Sequence, residues 1–394
     1  MDITQSLALL GGLTPQQFMR RHWQKKPLLV RQALPGFKPI LSRPELFALA
    51  GQEEVESRLV VQGAMGWRMK SGPFAPRSLP ALSKPGWSLL VQGVDMHEAK
   101  AYALLQQFRF VPDARMDDLM ISYASAGGGV GPHFDSYDVF LLQATGRRRW
   151  RIGKQTDFAL QEGVPLKILQ NFVPTEEFVL EAGDMLYLPP RYAHDGVAVD
   201  AVAADGKPEA CMTYSIGFRA PSQTELAGAL LQRLAEFGAD DEDAAAAPKL
   251  YRDPRQPATA NPAALPAELT EFARQAVASA LKDPLALACA LGEYLTEPKP
   301  SVWFDEPKAD DFQIGAPLFG ASSYVVLDAR TRMMYDEHHI FINGESYRAK
   351  GADAALMRRL ADQRQLGAAD LSQASVSAQH LLADWRSAGW LGPV

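Results

Sequence analysis

The sequence predicts a mainly β barrel, followed by a helical bundle and then by a winged-helix-like α+β module. Three observations lead to this prediction. Between residues 119 and 219, short apolar runs alternate with turn signals, which is typical of a barrel or sandwich. At Pro221 the pattern changes to apolar residues spaced four apart, which indicates helices. Beyond Pro300, short strands and an Asn-Gly turn precede two further helices.

Composition and charge limit the function classes that remain. The chain has 394 residues, enough for two or three domains. Its net charge of −6 argues against direct nucleic-acid binding but is compatible with a basic protein partner. Two cysteines are too few for a disulfide framework and favour a reducing compartment. The sequence contains no stretch of about 18 apolar residues, so we expect no membrane span. We therefore expect a cytoplasmic protein.

The first 220 residues carry most of the predicted strands. Thr14 and Pro15 begin a predicted helix that ends near Trp23. A second helix is expected between His97 and Phe108. Apolar runs bounded by turn residues predict strands at Leu28–Val30, Trp87–Gln92, Val139–Leu142, Met185–Leu188 and Met212–Phe218.

A possible metal site involves His133 and Asp135, read together with His194 downstream. Residues two apart on a β-strand point to the same face, so this imidazole and carboxylate would lie side by side. His194 follows a predicted strand and offers a third ligand. Two histidines and one carboxylate form the facial triad of non-heme Fe(II) oxygenases. The alternative is a surface histidine paired with a carboxylate.

An Fe(II) oxygenase needs electrons to split O₂, and 2-oxoglutarate supplies them if a cation holds its far carboxylate. The segment Arg147–Arg151 contains four arginines. Strand alternation places Arg148 on the face of Trp150 and Ile152, which is the apolar face. Its planar guanidinium suits a carboxylate, and the other three arginines then form a solvated basic face. Alternation also turns the hydroxyl of Ser122 inward, where it can bond the cosubstrate.

Glycines 127–129 precede the metal motif and have two interpretations. They form either a loop at the mouth of the site, which needs free dihedral angles, or an ordinary flexible turn.

The region from Pro221 to Glu297 is predicted to be helical. Ser222 and Glu225 form a capping-box pattern, and Gly238 fits the end of the helix that follows. The acidic run Asp240–Asp243 resembles a solvated linker. Two further helices are expected at Pro266–Leu281 and Pro284–Leu295. Their apolar stripes either pack internally or against a second copy of the chain, and we expect a homodimer.

The last part of the chain, from Pro298 to Val394, is predicted to be a winged-helix-like module. Asn343-Gly344 is a strong hairpin signal. The expected strands are Tyr324–Leu327, Arg332–Tyr335 and His339–Ile342, and the expected helices are Ala354–Gln365 and Val376–Ala388.

Several segments together resemble a known family. The segments are Trp23–Leu29, Gly131–Asp135, Gly146–Trp150, Asp184–Pro190 with His194, and Tyr214–Pro221. They are similar to the JmjC-type 2-oxoglutarate oxygenases, and among these to the bacterial ribosomal oxygenases. The resemblance implies a double-stranded β-helix of the JmjC and cupin kind in residues 1–220, a helical dimerisation region in 221–297 and a winged-helix-like domain in 298–394.

The resemblance also implies a reaction and its residues. His133, Asp135 and His194 would bind Fe(II), and Arg148 with Ser122 would hold 2-oxoglutarate. With O₂, the protein would hydroxylate an arginine side chain of large-subunit ribosomal protein sixteen. For the substrate pocket we choose Asp118, Tyr137 and Ser215, because Asp118 and Ser215 lie on strands beside the site and an acid suits a guanidinium. The alternative is that they are ordinary polar residues of the strands.

Three alternative functions remain open from the sequence. A histone-type lysine demethylase shares the metal triad and differs in its product. A metal-bearing cupin isomerase needs neither Arg148 nor 2-oxoglutarate. A non-catalytic cupin-like interaction protein would use the helical and winged regions as a scaffold, and it has no need of an intact triad.

Overall fold

The structure is a computed structural model that describes residues 2–64, 66–199, 209–237, 250–257, 263–305 and 324–392. It divides into two compact units, Met1–Ala220 and Pro221–Val394. The division coincides with the composition change at Pro221. Each unit is described by itself below.

The first unit is rich in strands, with three helices near its start. Its helices are α1 (Pro15–Arg21), α2 (Arg43–Leu49) and α3 (Ala99–Gln106). Its strands are β1 (Leu28–Val30), β2 (Ser57–Gly63), β3 (Gly66–Ser71), β4 (Trp87–Val91), β5 (Met116–Ala124), β6 (Val139–Thr145), β7 (Arg147–Gly153), β8 (Glu176–Leu180), β9 (Met185–Leu188), β10 (Ala193–Val199) and β11 (Cys211–Phe218).

Two antiparallel sheets organise these strands. The larger has the order β1-β9-β6-β11-β5-β4-β2-β3, and the smaller has the order β10-β7-β8. Side chains that alternate along a strand serve two separate cores. On β6, Phe140 and Leu142 join the core that also contains Phe18 of α1. Val139 and Leu141 face the other way and pack with Trp150 and Ile152 of the smaller sheet.

The start of α1 follows the prediction from Thr14 and Pro15. The Thr14 hydroxyl accepts a hydrogen bond from the Gln17 backbone, and the Gln17 side chain accepts one from the Thr14 backbone. This reciprocal pair satisfies two of the donors that a helix start leaves unpaired. The helix is therefore fixed at its first turn, and its Phe18 is fully buried.

The glycines at 127–129 are required for a reason that the sequence did not indicate. A Cβ on Gly128 would lie 2.2 Å from the Trp87 carbonyl oxygen, and one on Gly129 would lie 2.6 Å from the Gly196 oxygen. The segment also pairs with β10, because Gly127 donates to Ala198 and Ala198 donates back to Gly128. Close backbone packing explains Gly128 and Gly129, and Gly127 takes a φ of 70°, the kind of dihedral freedom that the sequence interpretation invoked.

The second unit contains helices and short strands. Its helices are α4 (Gln223–Phe237), α5 (Ala267–Ala280), α6 (Pro284–Thr296), α7 (Gly351–Gln363), α8 (Ala368–Leu371) and α9 (Val376–Ser387). Its strands are β12 (Val325–Leu327), β13 (Met333–Tyr335), β14 (Ile340–Ile342), β15 (Glu345–Tyr347), β16 (Gln365–Leu366) and β17 (Leu391–Gly392). They form two three-stranded sheets, β16-β12-β17 and β13-β14-β15.

Local signals placed several of these elements correctly. Ser222 and Glu225 form the predicted capping box at the start of α4. Asn343 and Gly344 take the positive φ values that the predicted turn between β14 and β15 requires. A Cβ on Gly292 would lie 2.4 Å from the Phe341 ring, so this glycine lets α6 pack closely on β14.

Other features were missed or lie outside the described residues. The β2–β3 hairpin and the strands β8, β10 and β15 were not predicted, because their sequences lack a clear apolar alternation. Gly238, the acidic run Asp240–Asp243 and the loop at residues 201–208 lie outside the described residues. Within the described part of the chain, no helix is long and apolar enough to cross a membrane.

Candidate metal centre

The three predicted metal ligands lie close together in the first unit. His133 lies between β5 and β6, and its backbone exchanges hydrogen bonds of 2.9 and 2.8 Å with that of His194 on β10. The two imidazole centroids are 4.2 Å apart. Asp135 Oδ2 lies 3.6 Å from His194 Nε2. Among the described residues, this is the one group of three His, Cys, Asp or Glu whose ligand atoms all lie within 4.8 Å of one another.

The local structure around His133 differs from the sequence prediction. His133 and Asp135 do not lie on a strand: His133 forms an isolated bridge, and Asp135 lies in the loop before β6. Pro132 has no backbone N–H to donate, so a regular ladder cannot extend back from His133. The two side chains nevertheless converge, because Arg191 donates a backbone hydrogen bond of 2.7 Å to the Asp135 carbonyl.

Hydrogen bonds determine which nitrogen of each histidine is free to bind a metal. Nδ1 of His133 lies 2.9 Å from the Gly131 carbonyl, and Nδ1 of His194 lies 2.8 Å from the Tyr192 carbonyl. A carbonyl oxygen can only accept, so both Nδ1 atoms carry a proton, and Nε2 is the nitrogen of each ring that is left to bind a metal. Burial and the neighbouring His133 lower the pKa of His194 to about 4, so its ring is neutral at neutral pH.

Arg148 enters the same space from β7. Its side chain is 4% exposed, and the burial of β7 alternates as predicted, with Arg148, Trp150 and Ile152 buried and Arg147 exposed. Its guanidinium donates to the Gly196 carbonyl at 3.2 Å and to the Ser122 hydroxyl at 3.4 Å. Its Nε has no partner among the described residues. A buried guanidinium without a carboxylate partner is costly unless an anion binds there.

Arg149 and Arg151 lie on the opposite face of β7 from Arg148, as alternation predicted. Arg151 forms a 2.6 Å ion pair with Asp195 of β10. Asp195 is next to His194 in sequence but its side chain points to this outer face. The arginine cluster therefore provides one buried cation for the site and a separate ion pair that ties β7 to β10.

The three predicted substrate residues lie at different depths. Asp118 on β5 is 6% exposed and accepts a 2.9 Å hydrogen bond from the Gly93 backbone. Tyr137 is 38% exposed. Desolvation of its hydroxyl, the charges of Asp135, Asp118 and Asp117, and a hydrogen bond to Asp135 raise the pKa of Tyr137. Ser215 on β11 is half-buried and pairs in register with Met120 and Leu141.

Sequence reasoning missed two buried polar side chains on the same inner faces. Gln143 and Thr213 are fully buried and hydrogen-bonded to each other at 2.9 Å. The Trp150 ring lies 5.8 Å from the His194 ring, and its Nε1 has no partner among the described residues. The alternation that selected Arg148 also identifies Trp150, and applied to β6 and β11 it would have found Gln143 and Thr213.

The donor set fits the group that the sequence implied. Two imidazoles and one carboxylate would hold one side of a metal as the facial triad does, which leaves the remaining positions open. The buried guanidinium of Arg148, whose Nε has no partner among the described residues and which lies beside the Ser122 hydroxyl, matches the far carboxylate of a dicarboxylic keto acid. A cupin isomerase would have no use for this buried cation.

Comparisons with known proteins agree with this geometry. A family model for the JmjC domain matches residues 103–226, which contain all three ligands and Arg148. A second family model, described as a ROXA-like winged helix, matches residues 279–392. This match begins ahead of the predicted boundary at residue 298 and includes α6, which packs on β14 and β15.

Individual relatives cover most of the chain. The ribosomal protein uL16 3-hydroxylase of Escherichia coli is 39% identical over 288 residues, which are 71% of this chain and 70% of the relative. The solved structure of E. coli YcfD has a TM-score of 0.80 at 30% identity, covering 97% of this chain and 98% of that one. The structure of YcfD, a ribosomal oxygenase, in complex with cobalt and 2-oxoglutarate has a TM-score of 0.78 over the same shares. The chain belongs to the JmjC-type ribosomal oxygenases, and it is an Fe(II)- and 2-oxoglutarate-dependent oxygenase.

Proposed function

We propose that this protein hydroxylates an arginine side chain of large-subunit ribosomal protein sixteen. The observation that carries this proposal is the buried carboxylate of Asp118, which alternation along β5 places on the same strand face as Ser122, the hydroxyl that contacts Arg148. A buried carboxylate suits a guanidinium, which donates from several N–H groups. The relative named uL16 3-hydroxylase supports the choice of protein substrate.

Each part of the site has an assigned role in this proposal. His133, Asp135 and His194 hold Fe(II), and Arg148 with Ser122 holds the far carboxylate of 2-oxoglutarate. Together the bound iron and cosubstrate supply an activated oxygen that is inserted into a carbon–hydrogen bond. The remaining work falls to the protein, which must place one carbon of the substrate near the iron and exclude water.

The residues around the triad are suited to that work. Asp118 pairs with the target guanidinium, and Tyr137 and Ser215 line the path of its aliphatic stem. Asp118 is held in place by the Gly93 backbone, so its carboxylate is oriented before the substrate arrives. Leu141, Trp150 and Leu186 belong to one buried apolar cluster, and in this proposal that cluster helps to exclude water from the metal.

The overall charge supports encounter with a ribosomal protein. This chain has a net charge of −6, and ribosomal proteins are basic. Opposite charges accelerate association, and the effect weakens as salt screens it. We therefore expect turnover at low substrate concentration to fall as ionic strength rises.

The wider organisation is part of the proposal. In this proposal residues 1–220 form the double-stranded β-helix, residues 221–297 a dimerising helical bundle and residues 298–394 a winged-helix-like domain. The whole protein is proposed to be cytoplasmic and not to bind nucleic acid directly. Exposed leucines on α5, α6 and the turn between them support a homodimer, namely Leu269, Leu281, Leu285, Leu287 and Leu291.

A product assay tests the substrate assignment. Purified protein is incubated with Fe(II), 2-oxoglutarate, O₂ and a peptide from large-subunit ribosomal protein sixteen that contains the target arginine. Mass spectrometry should show the gain of one oxygen atom, and a lysine in place of that arginine should reduce turnover, since an ammonium lacks the paired donors of a guanidinium.

Two comparisons make this assay decisive. Asp118→Asn should raise the KM for the peptide, whereas Asp113→Asn should not, because Asp113 pairs with Arg109 instead. If the arginine peptide stays unmodified while a methylated lysine peptide loses its methyl group, the protein is a demethylase and the proposal is wrong.

A further inference from the structure

The loop between β7 and β8, residues 154–175, packs directly against the segment that carries His133 and Asp135. The Leu169 backbone donates a 2.7 Å hydrogen bond to the Pro132 carbonyl. The side chain of Ile168 lies against Gly131, close enough that a Cβ there would come within 3.0 Å of it. This loop therefore contacts the ligand segment immediately before the first metal ligand.

A second contact involves the residue between the two ligands. The Phe134 ring packs against Phe158 of the same β7–β8 loop, with centroids 4.5 Å apart and the ring planes tilted by 59°. His133 and Asp135 point toward the site, whereas the side chain of Phe134, between them, packs against the β7–β8 loop. This contact can therefore hold the ligand segment from outside the site. Both rings are only half-buried.

Arg191 completes this arrangement from the turn before β10. Its guanidinium carbon lies 4.3 Å from the centroid of Phe158 and 5.8 Å from that of Phe134. Its backbone N–H donates to the Asp135 carbonyl at 2.7 Å, and its φ of 60° lies in the left-handed region. One residue therefore contacts all three segments around the metal centre: the ligand loop, the β7–β8 loop and the strand that carries His194.

We propose that Phe134, Phe158 and Arg191 form an aromatic brace that positions Asp135 relative to the two histidines and so tunes metal affinity. The need for it follows from the fold. His133 and His194 are fixed by their backbone pair, but Asp135 lies outside any strand and its side chain is 21% exposed. A cation stacked on aromatic faces, together with the Arg191–Asp135 backbone bond, replaces the missing ladder.

The inference rests on the proposed metal-binding role of the triad and assigns Arg191 and Phe158 as positioning residues. Neither of them touches the metal. Partners that orient metal ligands commonly change affinity by about 10–100-fold when they are removed. We therefore expect brace variants to bind metal at least about tenfold more weakly while their fold is retained.

The test measures Co(II) affinity of the metal-free full-length protein from the visible absorption of the bound ion. Arg191→Asn removes the stacked guanidinium but keeps a residue that tolerates the left-handed conformation. Phe158→Leu removes the aromatic face and keeps an apolar side chain. Leu160→Ala, an exposed residue of the same loop, is the matched control. The melting temperature of each metal-free variant is measured in parallel.

The inference predicts weaker Co(II) binding in Arg191→Asn and Phe158→Leu, with unchanged melting temperatures, and wild-type affinity in Leu160→Ala. At saturating Fe(II), kcat should return toward the wild-type value in both brace variants. Wild-type affinity in Arg191→Asn and Phe158→Leu would overturn the brace while leaving the metal site intact. If the wild-type protein binds Co(II) no better than His133→Ala, the metal site itself is wrong and the brace is rejected with it.

Discussion

Replacing Arg148 with alanine removes the one buried cation that faces the metal centre from β7 among the described residues. In the structure its guanidinium has weak contacts to Gly196 and Ser122 and an unpaired Nε. If its partner is the far carboxylate of 2-oxoglutarate, the substitution leaves that carboxylate buried without a counter-charge. Arg149→Ala is the matched control, because Arg149 lies on the opposite face of the same strand.

The expected loss of affinity can be worked out from this geometry. Truncating one partner of a buried, hydrogen-bonded charge pair costs about 2–5 kcal/mol. Since about 1.4 kcal/mol corresponds to a factor of ten, Arg148→Ala should weaken 2-oxoglutarate binding by about 30-fold to a few thousand-fold. Without cosubstrate, the same substitution removes a buried charge that has no carboxylate partner among the described residues. The melting temperature of the cosubstrate-free protein should therefore stay the same or rise.

The assay combines two measurements on each variant. The first is the KM for 2-oxoglutarate, from succinate release at saturating Fe(II) and peptide. The second is the rise in melting temperature that 2-oxoglutarate causes in the presence of Mn(II). Arg148→Ala should raise the KM and abolish the thermal shift. Arg149→Ala should change the KM by no more than about threefold and keep the thermal shift of the wild-type protein. Equal effects of the two substitutions would refute the assignment of the β7 faces.

Further predictions concern the metal, the assembly and the buried carboxylate of Asp184. His133→Ala and Asp135→Ala should abolish Fe(II)-dependent turnover with an unchanged circular dichroism spectrum; activity in both would exclude the triad. Light scattering should find a dimeric full chain and a monomeric truncation ending at Ala220, and a monomeric full chain contradicts this. Asp184 is buried, yet hydrogen bonds from the Gln32 and Glu181 backbones and from Arg31 lower its pKa despite the opposing effect of burial. Its stabilisation is therefore present at neutral pH and lost as pH falls through that lowered pKa, so Asp184→Asn should lower the free energy of unfolding by about 1–3 kcal/mol at pH 7. In urea titrations this difference should vanish in acid, and a pH-independent difference would refute it.

Local patterns were sufficient for the parts of the site that lie on regular strands. Arg148 was selected from four neighbouring arginines by alternation alone, and its burial confirms that orientation. The capping box at Ser222 and the turn at Asn343 were likewise readable, because both depend on residues close together in the chain. In each case the determinant is a local backbone geometry that a few residue types satisfy.

The contacts that assemble the metal centre were less accessible. Nothing in the sequence near His133 indicates that its backbone pairs with His194, or that Asp135 would lie outside a strand. Phe158 and Arg191 belong to segments distant from Phe134 in the chain, and a stack between them has no local periodicity. The ligand atoms of His133, Asp135 and His194 still lie within 4.8 Å of one another, although Asp135 is outside any strand.

The most direct test of the central claim is the mass of large-subunit ribosomal protein sixteen from cells with and without this protein. The account predicts that the protein sixteen of wild-type cells carries one extra oxygen atom on an arginine, and that this oxygen is absent when the gene is deleted. The wild-type gene should restore it, and a gene encoding His133→Ala should not. An unchanged mass in the deletion strain, or an oxygen on a residue other than arginine, would contradict the account.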